Sequence, residues 1–264
     1  MKISGFTIIK NAVINDYPVK EAIESILPVV DEMIVSIGKS DDETELLIRS
    51  IQSDKLKIFH SEWDPALREG GKILAVETDK AFQHIAPDSD WAFYIQADEV
   101  VHEQYHKEIR QAAERYLNDK QVDGLLFHYL HFYGTYDYVG DSRKWYNKEI
   151  RIIRNDKSIK AFKDAQGFRR NGQRLPVKQI NAWVHHYGWV KSPQQMKQKM
   201  YQTGKLWHSD EEMNSFLQSS GIFDYNEFDS LNKFEGTHPR VMKERIANKN
   251  WDISLDVKQK KFSL

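Results

Sequence analysis

Along the first hundred residues the apolar positions switch repeatedly between a strand-like run and a helical period. Ile3 to Ile9, with small residues between its apolar ones, reads as a buried strand. Asp16-Tyr17-Pro18 then supplies a cap and a first-turn proline, and Val19, Ala22, Ile23, Ile26 and Leu27 fall on one face at 3.6-residue spacing until Pro28. Met33 to Val35 predicts a short buried strand. Ser40 or Asp41 can cap a helix carrying Leu47 and Ile51, and Leu56 to Phe59 predicts a third strand. Gly70-Gly71 precedes a helix whose stripe is Leu74, Ala81, Phe82 and Ile85, and the turn at 87–90 leads into the strand Trp91 to Ile95. Strands alternating with helices imply right-handed crossovers and a parallel sheet whose ligand crevice lies at the carboxyl ends of the strands. Asp98 stands just past such an end.

The texture then changes. A charged helix over Glu103 to Tyr116 is followed by strands at Leu125 to Tyr133 and Glu149 to Ile153, with a loop from Tyr136 to Lys144 between them. A further strand is expected at Ile180 to Tyr187, and the chain from Pro193 onward is polar and helical with breaks at Gly221 and Gly236. The expectation is an α/β chain: a Rossmann-like, mostly parallel nucleotide-binding half at 1–120, a mixed-strand half at 121–192 and a helical extension at 193–264. No Pro/Gly/Ser-rich linker marks the boundary near 120.

Composition narrows the function classes. With 264 residues and a net charge of -1, the chain has room for a sizeable core and no overall basic field for nucleic acid, so an anionic partner must be held locally. The absence of cysteine excludes disulfides and thiolate metal sites and fits a reducing compartment. No segment reads as a secretion leader or a membrane span. The default is a cytoplasmic protein, with peripheral contact at the inner membrane face left open.

The densest candidate chemistry is Gln96-Ala97-Asp98-Glu99, two adjacent acids at the end of an apolar strand. Carboxylates there suit Mg²⁺ or Mn²⁺, and such an ion neutralises the charge that builds on a departing diphosphate. Lys72 and the pair Arg151/Arg154 offer positive charge for the same diphosphate, although most such residues are solvated surface. Eight aromatics stand between Phe127 and Tyr146. Part of that group must be core, while Tyr136, Tyr138 and Trp145, in the loop, are candidates for stacking on a sugar ring.

Several segments, taken in order, resemble the inverting family 2 glycosyltransferases of the GT-A fold, including the branch that glycosylates lipopolysaccharide core. Ile8-Ile9-Lys10-Asn11 is similar to the first strand and its asparagine turn. Glu32 to Val35, followed by Ser40-Asp41-Asp42-Glu43-Thr44, resembles the second strand and its loop. Ile95-Gln96-Ala97-Asp98-Glu99 resembles the family's Leu-Asp-Ala-Asp-Glu metal motif. His185-His186-Tyr187-Gly188-Trp189 and Phe234-Glu235-Gly236-Thr237-His238-Pro239 also look like segments of that branch. The resemblance implies transfer of a sugar, with inversion, from a nucleotide-diphosphate donor to a carbohydrate or glycolipid acceptor, as in polysaccharide biosynthesis. It assigns Asp98 and His186 to the metal and Asp164 to the general base; together with the reading of the residues themselves, the expected substrate contacts are Asn11, Lys72, Gln96, Glu99 and Trp145. Strand alternation allows only one of His185 and His186 to reach the cleft, and the expectation is His186.

The departures carry weight too. Ile37 stands where the family usually has a nucleotide-contacting Asp, Gln96 replaces the first acid of the metal motif, and an expected Arg-Asn pair falls near Thr78-Asp79. They leave room for a degenerate domain of the same fold that binds a glycan or nucleotide without turnover. A nucleotidyltransferase is less favoured, because Lys10 to Tyr17 has no glycine-rich phosphate loop.

Overall fold

The computed structural model describes residues 1–67, 69–218 and 221–258. Its first part alternates as the apolar pattern predicts: β1 (Ile3–Ile9), α1 (Val19–Ile26), β2 (Glu32–Gly38), α2 (Thr44–Arg49), β3 (Leu56–Ser61), α3 (Lys72–Gln83) and β4 (Trp91–Tyr94). The four strands are parallel in the order β3-β2-β1-β4. Every residue of β1, β2 and β4 is buried, as both-sided covering of a parallel sheet requires. Successive side chains enter opposite cores: Phe6, Ile8 and Tyr94 pack with Ala81 and Phe82 of α3, whereas Ile9, Ile37 and Phe93 pack with Val19, Ile23 and Ile48 of α1 and α2.

After β5 (Glu99–Val101) and α4 (His106–Arg115) come β6 (Gly124–Gly134), β7 (Tyr138–Gly140) and β8 (Lys148–Arg154). β8 lies antiparallel against both β4 and β6, so one sheet runs across the expected boundary near 120. β9 (Ile159–Phe162), β10 (Gly167–Arg170) and β11 (Gln173–Arg174) form a small antiparallel sheet. The long β12 (Val177–Val190) runs parallel to β6 and antiparallel to β5.

α5 (Pro193–Gly204) starts on a capping box, in which Ser192 accepts from the Gln195 N–H and the Gln195 side chain reaches back. α6 (Asp210–Gln218) follows. Beyond Gly221 the chain is less helical than its polarity suggests. It lays β13 (Leu231–Lys233) antiparallel on β7 before the short α7 (Lys243–Ala247), burying Tyr225, Phe228 and Leu231 against Tyr133. Among the described residues no helix is long and apolar enough to cross a membrane.

Candidate active site

A cleft of about 620 Å³ opens at the carboxyl ends of β1 and β4, where a parallel sheet of this kind receives its ligand. Asn11, Gln96, Asp98, Asp164 and His186 all line it. The turn after β1 is fixed by Asn11, which is left-handed (φ 53). Its Oδ1 accepts the Asp41 N–H at 2.8 Å and its own N–H donates to Ser40 Oγ at 3.0 Å. Ser40 and Asp41 therefore tie two loops of the cleft together, and it is Asp42 Oδ1 that accepts the first N–H of α2, from Thr44 at 3.1 Å.

Asp98 and His186 meet because β5 pairs with β12 in the register Glu99↔His186, and the Tyr187 N–H donates to the Asp98 carbonyl at 2.8 Å. His186 Nε2 lies 3.6 Å from Asp98 Oδ2. Gly188 makes room for them, since a Cβ there would sit 2.6 Å from Asp98 Oδ2 and 2.7 Å from His186 Cε1. His185, one residue back, faces away and bonds the Tyr187 hydroxyl at 3.2 Å in a separate aromatic core.

The tautomer of His186 follows from its neighbour. His131 Nε2 is 2.7 Å from the Tyr146 carbonyl oxygen, an acceptor only, so this nitrogen carries a proton. Burial and the adjacent His186 push His131 down to about 3, which keeps it neutral with a bare Nδ1. That Nδ1 is 3.2 Å from His186 Nδ1 and must accept its proton. With its Nδ1–H directed at His131, His186 turns its other ring nitrogen, Nε2, toward the Asp98 carboxylate. Burial opposes ionisation of Asp98, yet His186 and then Lys199 hold its carboxyl far below the usual carboxylate range. Lys199 Nζ, on α5, is 3.4 Å from Asp98 Oδ2 and donates to the Gly188 carbonyl at 2.7 Å.

This donor pair fits a hard divalent ion. A separation of 3.6 Å is less than twice the metal–ligand distance of about 2.1 Å. Among the described residues no cluster of three or more His, Cys, Asp or Glu gathers there. Diphosphate oxygens and water would complete the coordination, as is usual for Mg²⁺.

Glu99 corrects a sequence-based expectation: it does not face the cleft. It is fully buried and accepts from Arg151 Nε at 2.8 Å, Arg151 Nη2 at 2.7 Å, Tyr129 Oη at 2.6 Å and the Gln96 N–H at 3.1 Å. Arg151, also without exposure, is spent on this pair and does not reach a diphosphate. Arg154 is spent likewise, donating to the carbonyls of Tyr116, Leu117 and Val122 and covering the Trp91 ring at 3.8 Å. Gln96 has a reason to differ from an acid. Its Nε2 donates to the Ala165 carbonyl at 3.3 Å while Oε1 faces Arg151 Nη2 at 3.5 Å, and a carboxylate has no proton for that carbonyl. Ile37 is buried in the core under α1 and does not line the cleft.

Asp164 lies on the turn between β9 and β10, flanked by Lys163 (φ 56) and Ala165 (φ 62), two left-handed non-glycine residues. Gln96 thus braces the turn that presents Asp164. Lys72 is exposed at the first position of α3 and is not among the cleft residues, although Ile73 and Leu74 are. Trp145 lines a second cleft, with its ring 5.2 Å from His131. Tyr136 and Tyr138 are not platforms: both are buried, Tyr136 against Tyr187 and Tyr138 with its hydroxyl accepting the Leu255 N–H at 3.2 Å. Thr78 and Asp79 brace α3, Thr78 Oγ1 on the Tyr94 hydroxyl at 3.3 Å and Asp79 on the Ala161 N–H at 2.8 Å.

Comparison with solved structures places these features in context. The chain is similar to Staphylococcus aureus TarS at 15% identity and a TM-score of 0.45, covering 82% of this chain and 42% of TarS. For the 1-349 segment of TarS in complex with UDP-GlcNAc the values are 15% and 0.43, with 82% of this chain and 70% of that one covered. Glucosyl-3-phosphoglycerate synthase from Mycobacterium tuberculosis, in complex with Mn²⁺, UDP and phosphoglyceric acid, shares 19% identity at a TM-score of 0.34 over 49% of this chain and 43% of its own. This chain thus spans less than half the length of the full TarS chain. No family model and no curated protein matches it in sequence.

Residues that sequence reasoning missed complete the cleft. Trp63 stacks over Gly38, where a Cβ would meet its Nε1 at 2.5 Å, and Trp207 covers Gly71 in the same way. Both line the cleft with Tyr17, Lys199 and Lys205. The aromatic surfaces suit a flat base or a sugar ring, and the lysines suit phosphate. Beneath them Lys191 is fully buried, donates to the Asp16 carbonyl, and is pushed down to about 7 by burial and then by Lys199.

Proposed function

We propose that this chain transfers a sugar, with inversion, from a nucleotide-diphosphate donor to a carbohydrate or glycolipid acceptor. The observation that carries this reading is His186 Nε2 facing the Asp98 carboxylate at 3.6 Å, at the carboxyl end of the sheet and in the same cleft as Asp164. A carboxylate and an imidazole nitrogen at this spacing form a two-ligand seat for a divalent cation. Mn²⁺ or Mg²⁺ held by Asp98 and His186 would neutralise a departing diphosphate. Lys199 adds fixed positive charge on the same side. Asp164 takes the proton of the acceptor hydroxyl as its oxygen forms the new bond to the anomeric carbon, while the carbon–oxygen bond to the diphosphate breaks and its electron pair leaves with the nucleotide. Trp63 and Trp207 fit the base or the donor sugar by stacking, and Asn11 holds the loop that borders it.

The binding-only alternative rested on Gln96 and Ile37. Gln96 has a bracing role that requires an amide, so its presence is no sign of lost turnover. A second reading has its own support: Lys199, 3.4 Å from Asp98, is itself a cation partner, and a transferase using it would need no metal. The lipopolysaccharide-core resemblance favours a glycolipid acceptor, which would bring the protein to the cytoplasmic membrane face.

A screen of nucleotide sugars for donor hydrolysis, with Mn²⁺ and with chelator, tests the proposal. Hydrolysis of one donor is expected, falling at least 100-fold in Asp98→Asn, with acceptor-dependent transfer lost in Asp164→Asn. Equal hydrolysis by the parent and Asp98→Asn would sink the metal assignment, and chelator-insensitive turnover would favour Lys199.

A further inference from the structure

A second cleft, of about 830 Å³, adjoins the first and shares Trp189 and Met200 with it. Three rings form its inner corner. The centroids of Trp145 and Trp189 are 6.2 Å apart with planes at 87°, and Tyr133 lies 6.0 Å from each. Trp145 touches His131, the neighbour of His186, so a molecule seated in this corner ends close to the Asp98 side chain. The volume is at the upper end of small-molecule sites.

The polar lining is acidic. Asp224, Glu227 and Asp229 face Lys144 and Lys197 across the cleft. Lys144 lies 3.8 Å from Asp229, and Lys197 Nζ donates to the Gly221 carbonyl at 2.8 Å. Among the described residues no cation pairs with Asp224 or Glu227; the Asp224 carboxylate accepts only from Asn226 N and Nδ2, each at 2.9 Å. The negative field reaches the aromatic floor: burial and then these three acids push the Tyr133 phenol up to about 12. Two carboxylates with no cation partner among the described residues, beside indoles set edge to face, repel a phosphorylated or carboxylated ligand and penalise a purely apolar one, whose burial would strip their water. Sugar hydroxyls, in contrast, donate to carboxylates while the C–H faces of the ring lie on tryptophan.

We propose that this cleft seats the acceptor as an uncharged, hydroxyl-rich saccharide, stacked on Trp145 and Trp189 with hydroxyls donating to Asp224 and Glu227. The inference rests on the transferase reading for its word acceptor and names the substrate class that reading leaves open.

Calorimetric titration of the full chain with maltotriose, chitotriose and mannotriose, and with trigalacturonate as the anionic counterpart, tests it without nucleotide. At least one neutral trisaccharide is expected to bind, at least tenfold tighter than trigalacturonate. Trp145→Ala should weaken it tenfold or more, and Asp224→Asn with Glu227→Gln should narrow the preference over trigalacturonate. These two acids are surface positions, so that variant remains informative where Trp145→Ala fails to fold. Failure of all three neutral sugars, trigalacturonate binding as tightly as they do, or a folded Trp145→Ala with unchanged affinity would overturn the proposal. Nucleoside diphosphate binding, measured on the same samples, separates the two readings. Its presence without saccharide binding refutes this inference alone, and the reverse refutes the donor site alone.

Discussion

Replacing Glu99 by Gln exchanges one oxygen for an NH₂ group and removes one charge, yet the surroundings make it a severe change. Both Glu99 and Arg151 have side chains with no solvent exposure, and four donors converge on the two carboxylate oxygens. A glutamine keeps one acceptor oxygen and in either orientation turns its NH₂ toward an Arg151 N–H and toward one of Tyr129 and the Gln96 N–H, all of them donors to Glu99, while the guanidinium loses its counter-charge. Breaking one partner of a buried pair costs about 3–5 kcal/mol. With a urea dependence of about 3 kcal/mol per molar for a chain of this size, the unfolding midpoint should fall by about 1–1.7 M. Adding Arg151→Met should restore part of that loss, because the orphaned charge goes but one of the Tyr129 and Gln96 bonds stays unmade. Urea unfolding followed by circular dichroism measures all three proteins. A loss below about 1 kcal/mol in Glu99→Gln, or a loss of nucleotide affinity with stability unchanged, would refute the placement of Glu99 as a brace outside the cleft.

Other consequences are equally direct. His131→Phe should lower Mn²⁺-dependent nucleotide affinity by about 10–100-fold by freeing the His186 ring, whereas His131→Asn, whose Oδ1 replaces the accepting nitrogen, should retain most of it; manganese paramagnetic resonance reads the bound fraction, and equal loss in both variants would contradict the tautomer. Gly188→Ala should cost the same metal-dependent affinity, since its Cβ would press on Asp98 and His186 at 2.6 and 2.7 Å, with calorimetry as the check. Stability should also fall with acid. Burial, then His238 and His102, push His185 down to about 3, so the unfolded chain binds a proton that the fold refuses. Its contribution is complete above the unfolded value of about 6.5 and is lost as pH falls toward 3, amounting to about 2–3 kcal/mol by pH 4.5. His185→Phe should show a shallower decline in urea midpoint between pH 7 and 4.5.

How much of this was legible follows from the lengths and separations involved. β1, α1, α3 and β4 are runs long enough for their period to show, and the position of Asp98 at a strand end came from that alternation. β7, β9 to β11 and β13 are only two to four residues long and partly polar, so no period marks them. Asp98 and Glu99 are adjacent acids with opposite fates, and alternation would have separated them once either was placed. What sequence could not supply was Arg151 and Tyr129 arriving from β8 and β6 to consume Glu99. Lys199 was missed because it sits 101 residues from Asp98 on a polar helix, where a lysine reads as solvated surface. Tyr136 and Tyr138 looked like an exposed loop pair, but the strand β13 and the segment ending at Leu255 fold back over them.

The central claim is that Asp98 and His186 hold a cation at a nucleotide-diphosphate site. Calorimetric titration of UDP, GDP and CDP into the wild-type chain and Asp98→Asn, each with Mn²⁺ and with chelator, tests it most directly. The structure predicts that one nucleotide binds the wild-type chain at least tenfold tighter with Mn²⁺, and that Asp98→Asn abolishes this metal dependence while remaining folded. Binding that is indifferent to Mn²⁺ in the wild-type chain, or unchanged in Asp98→Asn, would contradict it.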